Sequence, residues 1–164
     1  MRVFALTLLL CVASRASAGD PEKISLTGRL GGGESYSLSA LVAPVTLVED
    51  GTADGWGIWG ADVSPSKSGF ASFDLLVAGR TVFIPRKALW DLRNISRVYV
   101  SIPKGSKHQL VVHVRGGDAG ASYSAQFVVK RGFLHERIVR HGEFPDETWE
   151  RTTYSSALEK RPDA

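Results

Sequence analysis

Ala121-Ser122-Tyr123-Ser124-Ala125-Gln126-Phe127-Val128-Val129 is the stretch that decides the fold. Ala121, Tyr123, Ala125, Phe127 and Val129 occupy every second position, with Ser122, Ser124 and Gln126 between them. Successive side chains of a strand point to opposite faces, so this is a strand with one packed face and one wet face. The same period recurs on either side. Leu110, Val112 and Val114 precede it across Gly116-Gly117-Asp118-Ala119, and residues 133–140 follow it across Gly132. Residues 107–140 are therefore expected to form a three-stranded antiparallel meander with Ala125 in the core.

Working outward, Val98, Val100 and Ile102 form another strand, ended by the turn chemistry of Pro103-Lys104-Gly105-Ser106. Phe73, Leu75 and Val77 run into Ala78-Gly79 and then Arg80–Ile84. Tyr36, Leu38, Ala40 and Val42 alternate with serines, and Gly31-Gly32-Gly33 joins them back to Ile24 and Leu26. About ten short strands at close spacing predict an all-β domain, a single antiparallel β-sandwich of jelly-roll-like or Ig-like kind. One short helix is expected near residues 85–93. Pro85 suits its first position, and Ala88, Leu89 and Leu92 make one apolar stripe. Trp90 would plug against the sheet.

The chain begins with Arg2, an apolar run Val3–Val12, and Ala16-Ser17-Ala18. That order is a secretory signal peptide, predicted to occupy residues 1–18, with cleavage after Ala18. The run is shorter than the roughly 20 apolar residues a bilayer span needs. Residues 19–155 are then one β domain, and 156–164 a flexible charged tail. The expected location is periplasmic or extracellular. Cys11, the one cysteine, leaves with the signal, so the mature chain has no disulfide and no cysteine nucleophile.

Charge is distributed in blocks. Residues 19–79 carry three basic and eight acidic side chains, 80–140 twelve and three, and 141–164 three and six. A basic middle at net +9 can mark a surface for anions. In a fold with interleaved strands, the block would instead be dispersed over an ordinary mixed surface. Arg86, Lys87 and Arg93, grouped around the helix, are the weak binding candidates on this ground.

Catalytic motifs are scarce. There is no G-x-S-x-G elbow, H-E-x-x-H, P-loop or dinucleotide fingerprint. Ser122 or Ser124 beside His113, with Asp118 in the turn, is the nearest approach to a triad, and both serines read as wet strand positions. His108 and His113 are five apart and so face opposite ways. His135 and His141 share a face but lie about 20 Å apart along a strand. Neither pair chelates locally, so no metal site and no cofactor is expected. Glu147 and Glu150 flank Trp149 but point to opposite faces, which makes a charge cluster rather than an acid–base pair. In Gly55-Trp56-Gly57-Ile58-Trp59-Gly60 one tryptophan should fill the core, and the other can offer a ring for stacking. Trp56 and Trp59 join the binding candidates.

These readings converge on an exported, non-catalytic binding or structural module. Its expected partners are an anionic polysaccharide, a lipid surface or another exported protein, and not nucleic acid. The alternatives are a small exported hydrolase of glycan or peptide, whose residues converge only in three dimensions, and an inhibitor or partner-binding protein with a basic surface.

Overall fold

The computed structural model describes residues 20–44, 58–60 and 68–155. The segment 1–18 predicted as a signal peptide, Trp56, and the predicted tail 156–164 lie outside them. Nine strands and one helical turn follow one another in the described chain: β1 (Glu22–Arg29), β2 (Ser35–Pro44), β3 (Ser68–Val77), β4 (Arg80–Thr81), α1 (Lys87–Trp90), β5 (Ile95–Ser101), β6 (Gln109–Gly116), β7 (Tyr123–Lys130), β8 (Phe133–His141) and β9 (Thr148–Thr153). All strand pairs are antiparallel. They form two sheets, ordered β1-β2-β3-β4 and β5-β6-β7-β8-β9.

The β-sandwich is the expected architecture, and its connections are the simplest available. Each strand pairs with its neighbour in sequence, so both sheets are plain meanders, whereas jelly rolls and Ig domains use Greek-key crossings. The first half of the described chain makes one sheet, the second half makes the other, and α1 stands at the crossover.

The two inner faces supply the core. Leu38, Ala40, Leu75 and Val77 from the first sheet meet Leu110, Val112, Val114, Tyr123, Ala125, Phe127, Val129 and Val139 from the second. Ala125 is 0% exposed, as the alternation of β7 requires. Packing such interiors is the main stabilising term of a fold this rich in strand.

Two details depart from expectation. The β6–β7 connection is longer than the four residues Gly116–Ala119, because a 3₁₀ turn, Ala119–Ala121, is inserted. Arg115 therefore pairs with Ser124, whereas a four-residue connection would set it opposite Gly120. The displacement is an even number of residues, so every side chain keeps its face while its neighbours change. The helix is also a single turn, Lys87–Trp90. Its stripe of Ala88, Leu89 and Leu92 is buried, but Trp90 remains half-buried outside the core cluster and is not a plug.

Candidate functional site

The outer faces of the two sheets differ in chemistry. On the four-stranded sheet, alternate residues of β1, β2 and β3 present Ser25, Thr27, Ser37, Ser39 and Ser72, hydroxyls interspersed with Lys23, Asp74 and the exposed Leu76. On the five-stranded sheet the outward residues include arginines, and the register aligns them. Arg97 lies opposite Arg115, Arg115 opposite Ser124, and Ser124 opposite Arg140. With strands about 4.8 Å apart, these three guanidiniums stand in one cross-strand row spanning roughly 14 Å. Arg151 adds a fourth cation in the next row, which reads Tyr99, His113, Gln126, Ile138, Arg151.

Like charges directly opposite each other on a sheet destabilise it, so the Arg97–Arg115 pair works against folding. Among the described residues, neither these two nor Arg140 makes an ion pair. Arg97 lies over the Tyr99 ring at 5.1 Å, and Tyr99 stacks on His113 at 4.4 Å with planes 1° apart. Val111, Val128 and Ile138 on this same face are buried, although they sit outside the inter-sheet core. Long arginine, glutamine and tyrosine stems can cover such an apolar floor while their polar ends reach water. The acid of this face, Glu136, is taken up by Arg151 at 2.7 Å.

His113 Nε2 lies 2.7 Å from Ser101 Oγ. Burial, helped by the charge of Arg115, holds the imidazole below its ordinary pKa, so it is neutral and able to accept the serine proton. This is the first contact of a nucleophile–base pair. Among the described residues no carboxylate orients the ring, and the pair lies on an open sheet face. The sequence pattern sets Ser122 or Ser124 beside His113. The longer β6–β7 connection carries Ser122 out of the strand, leaves Ser124 one row away opposite Arg115, and places Gln126 opposite His113.

No known protein family, curated protein or solved structure matches the chain.

The residues singled out in the sequence distribute differently from expectation. Arg86 and Lys87 are exposed at the start of α1, Arg86 as its N-cap residue. Arg93 must be withdrawn as a surface candidate: it is 3% exposed. Because the helix ends at Trp90, Arg93 falls in the strand-like segment beyond it. There its backbone bridges Gly69 and donates to the Trp59 carbonyl, and its guanidinium turns back to the Trp90 carbonyl. Trp59 must also be withdrawn as a free stacking platform. Its ring stacks on Trp149 at 5.1 Å, and its indole nitrogen is buried. Gly60, next to it, is glycine for a reason. A Cβ there would stand 2.6 Å from the Arg93 carbonyl oxygen and from the Tyr123 ring.

The histidines occupy separate environments. His108 pairs with Glu34 at 3.2 Å, His113 with Ser101, and His141 packs on Phe144 and Trp149 while its Nδ1 accepts from the backbone of Glu143 and Phe144. No group of three or more histidine, cysteine, aspartate or glutamate side chains among the described residues is placed to hold a metal ion.

A buried ion cluster, not foreseen from the sequence, locks α1 to the second sheet. Arg137, 3% exposed, grips both oxygens of Asp91 at 2.8 and 2.7 Å through one nitrogen. Through the other it grips both oxygens of Glu150 at 2.7 and 2.8 Å. Burial raises the Asp91 pKa, while Arg137 opposes that rise. One guanidinium shared by a buried and a part-buried carboxylate holds these elements together. The two carboxylates present no free acid to a substrate.

Proposed function

We propose that the protein is an exported, non-catalytic binding module whose outer five-stranded face recognises an anionic polysaccharide. The observation that carries this reading is the row Arg97, Arg115, Arg140. Three cations are set in line across a rigid sheet, two of them directly opposed, with no acid in the row. Opposed arginines cost stability in the free protein and gain it back when an anion lies between them. A linear polyanion fits a row better than a point ligand does. The meander topology supports the same reading, because it keeps β5, β6, β7 and β8 side by side and so brings Arg97, Arg115 and Arg140 of the basic block onto one face.

The test is retention on immobilised heparin as a function of salt. R97S/R115S/R140S should elute at clearly lower salt than wild type, since exposed charges act over only about 8 Å at physiological ionic strength. R86S/K87S should elute close to wild type. Equal elution of wild type and the row variant would sink the proposal, and a loss confined to the α1 variant would move the surface to the helix.

The Ser101–His113 contact of 2.7 Å favours a second reading, a small exported hydrolase. Ester turnover by wild type that disappears in S101A would carry it.

A further inference from the structure

At the end of the sandwich opposite α1, the hairpin turns of both sheets surround a cleft of about 480 Å³, within the size range of small-ligand pockets. Arg80, Thr81, His108, Glu34, Arg131 and Phe133 line it. Backbone hydrogen bonds tie its walls together. Arg131 N–H donates to the His108 carbonyl at 2.8 Å, Gly32 N–H to the Lys107 carbonyl at 3.0 Å, and Ala78 N–H to the Ser35 carbonyl at 2.8 Å. Glu34 Oε2 meets His108 Nδ1 at 3.2 Å, whereas Arg80 and Arg131 make no ion pair among the described residues. Phe133 leaves 44% of its surface exposed beside them.

The backbone at Arg131 adds a second, independent observation. Lys130 pairs with Phe133, and both residues between them have positive φ, 51° at Arg131 and 79° at Gly132. That is a type I′ turn, whose first central position favours asparagine, aspartate or glycine. Arginine there is conformationally strained, as is Ala78 at φ 51° in the matching β3–β4 hairpin, so both hairpins lining the cleft hold a non-glycine residue in the left-handed region. The β7–β8 turn would be better made by asparagine, but asparagine would not bring a guanidinium to the cleft.

We propose that this cleft binds a hydroxylated, ring-bearing carboxylate of the uronate type, clamped by Arg80 and Arg131 with its ring against Phe133. Two guanidiniums suit a carboxylate, which they can hold through paired N–H donors. Glu34 within the lining disfavours a dianion and accepts hydrogen bonds from ring hydroxyls, as Thr81 does. The exposed phenyl ring offers an apolar face for the C–H side of a sugar ring. The site is separate from the arginine row, and it stands whether or not that row binds a polymer.

The experiment is a titration of the full mature chain with glucuronate, followed by amide chemical shifts. Saturable shifts are expected at Ala78, His108, Arg131 and Gly132. R131N should weaken binding at least tenfold while its melting temperature stays the same or rises, because asparagine suits the turn. R80S should weaken binding similarly. R97S/R115S/R140S should bind glucuronate as wild type does, which separates this site from the polymer face. Acetate should bind at least tenfold more weakly than glucuronate. Three results would overturn the proposal: no saturable shifts, unchanged affinity in R131N and R80S, or acetate binding as tightly as glucuronate.

Discussion

Replacing Arg137 with methionine tests the buried ion cluster most directly. The substitution keeps most of the stem and removes a guanidinium that is 3% exposed and makes four contacts of 2.7–2.8 Å with Asp91 and Glu150. The buried Asp91 and the part-buried Glu150 would then lose the guanidinium they share. Breaking a buried pair by removing one partner costs about 3–5 kcal/mol. For a domain of this size that is a fall in melting temperature of roughly 10–20 °C at pH 7.5. The pH dependence gives the argument its sign. Asp91 already has a pKa raised by burial, and Arg137 is the main group holding it down. Without Arg137 the pKa rises further. A carboxyl raised in the folded state favours folding while protonated, and that advantage is lost as pH rises through its folded pKa. The penalty of R137M should therefore be large at pH 7.5 and shrink towards pH 4, where Asp91 takes up a proton. The companion variant D91L/R137M/E150M removes all three charges and should recover most of the loss, since apolar replacement of a whole buried cluster is often neutral or stabilising. Chemical denaturation at the two pH values, read by circular dichroism, provides both numbers. A loss within about 0.5 kcal/mol at pH 7.5, the range of an ordinary surface change, would refute the cluster's role. So would a loss equal at both pH values.

Two other outcomes follow from the same structure. Ala125→Asp puts a charge at a site that is 0% exposed, between Val114 and Val139, and should cost at least about 3 kcal/mol in urea denaturation; a change below 1 kcal/mol would contradict the packing of β7. His113 has a pKa lowered by burial and by Arg115, so the folded protein takes up its proton only below the ordinary histidine value of about 6.5, and its contribution to stability falls as pH drops through that window. Imidazole NMR should show the low pKa in free protein, and a rise in Arg115→Ser; an unchanged value in that variant would remove Arg115 as a cause.

What could be read from the sequence divides along a physical line. Strand faces were legible wherever period two ran unbroken. Period two sends Tyr123, Ala125, Phe127 and Val129 inward, and all four are buried. Even the misjudged β6–β7 connection left faces intact, because the register moved by an even count. Only the cross-strand neighbours change: the shorter connection sets serine opposite His113, and the longer one sets Gln126 there. The arginine row needed the topology as well. A basic block of sequence becomes a basic face only if its strands stay together, and two successive meanders do keep them together, whereas interleaved strands would have scattered Arg97, Arg115 and Arg140.

The buried cluster was illegible for a different reason. Alternation from Leu134 would send Ile138 inward and Arg137 out to water. Instead, Val129 pairs with Leu134 and Val128 with Glu136, so His135 is an extra residue and the phase reverses after it. Such a one-residue bulge exchanges the two faces for the rest of the strand. Arg137 and Val139 then turn inward, and Ile138 lies on the outer face, buried but outside the inter-sheet core. The inward cation is tolerated because the C-terminal end of a one-turn helix brings Asp91 to it and β9 brings Glu150. The bulge therefore does two things at once. It places a counter-charge under α1, and it puts Arg140 outward, in register with Arg115, so the row on the outer face and the clamp within depend on the same extra residue.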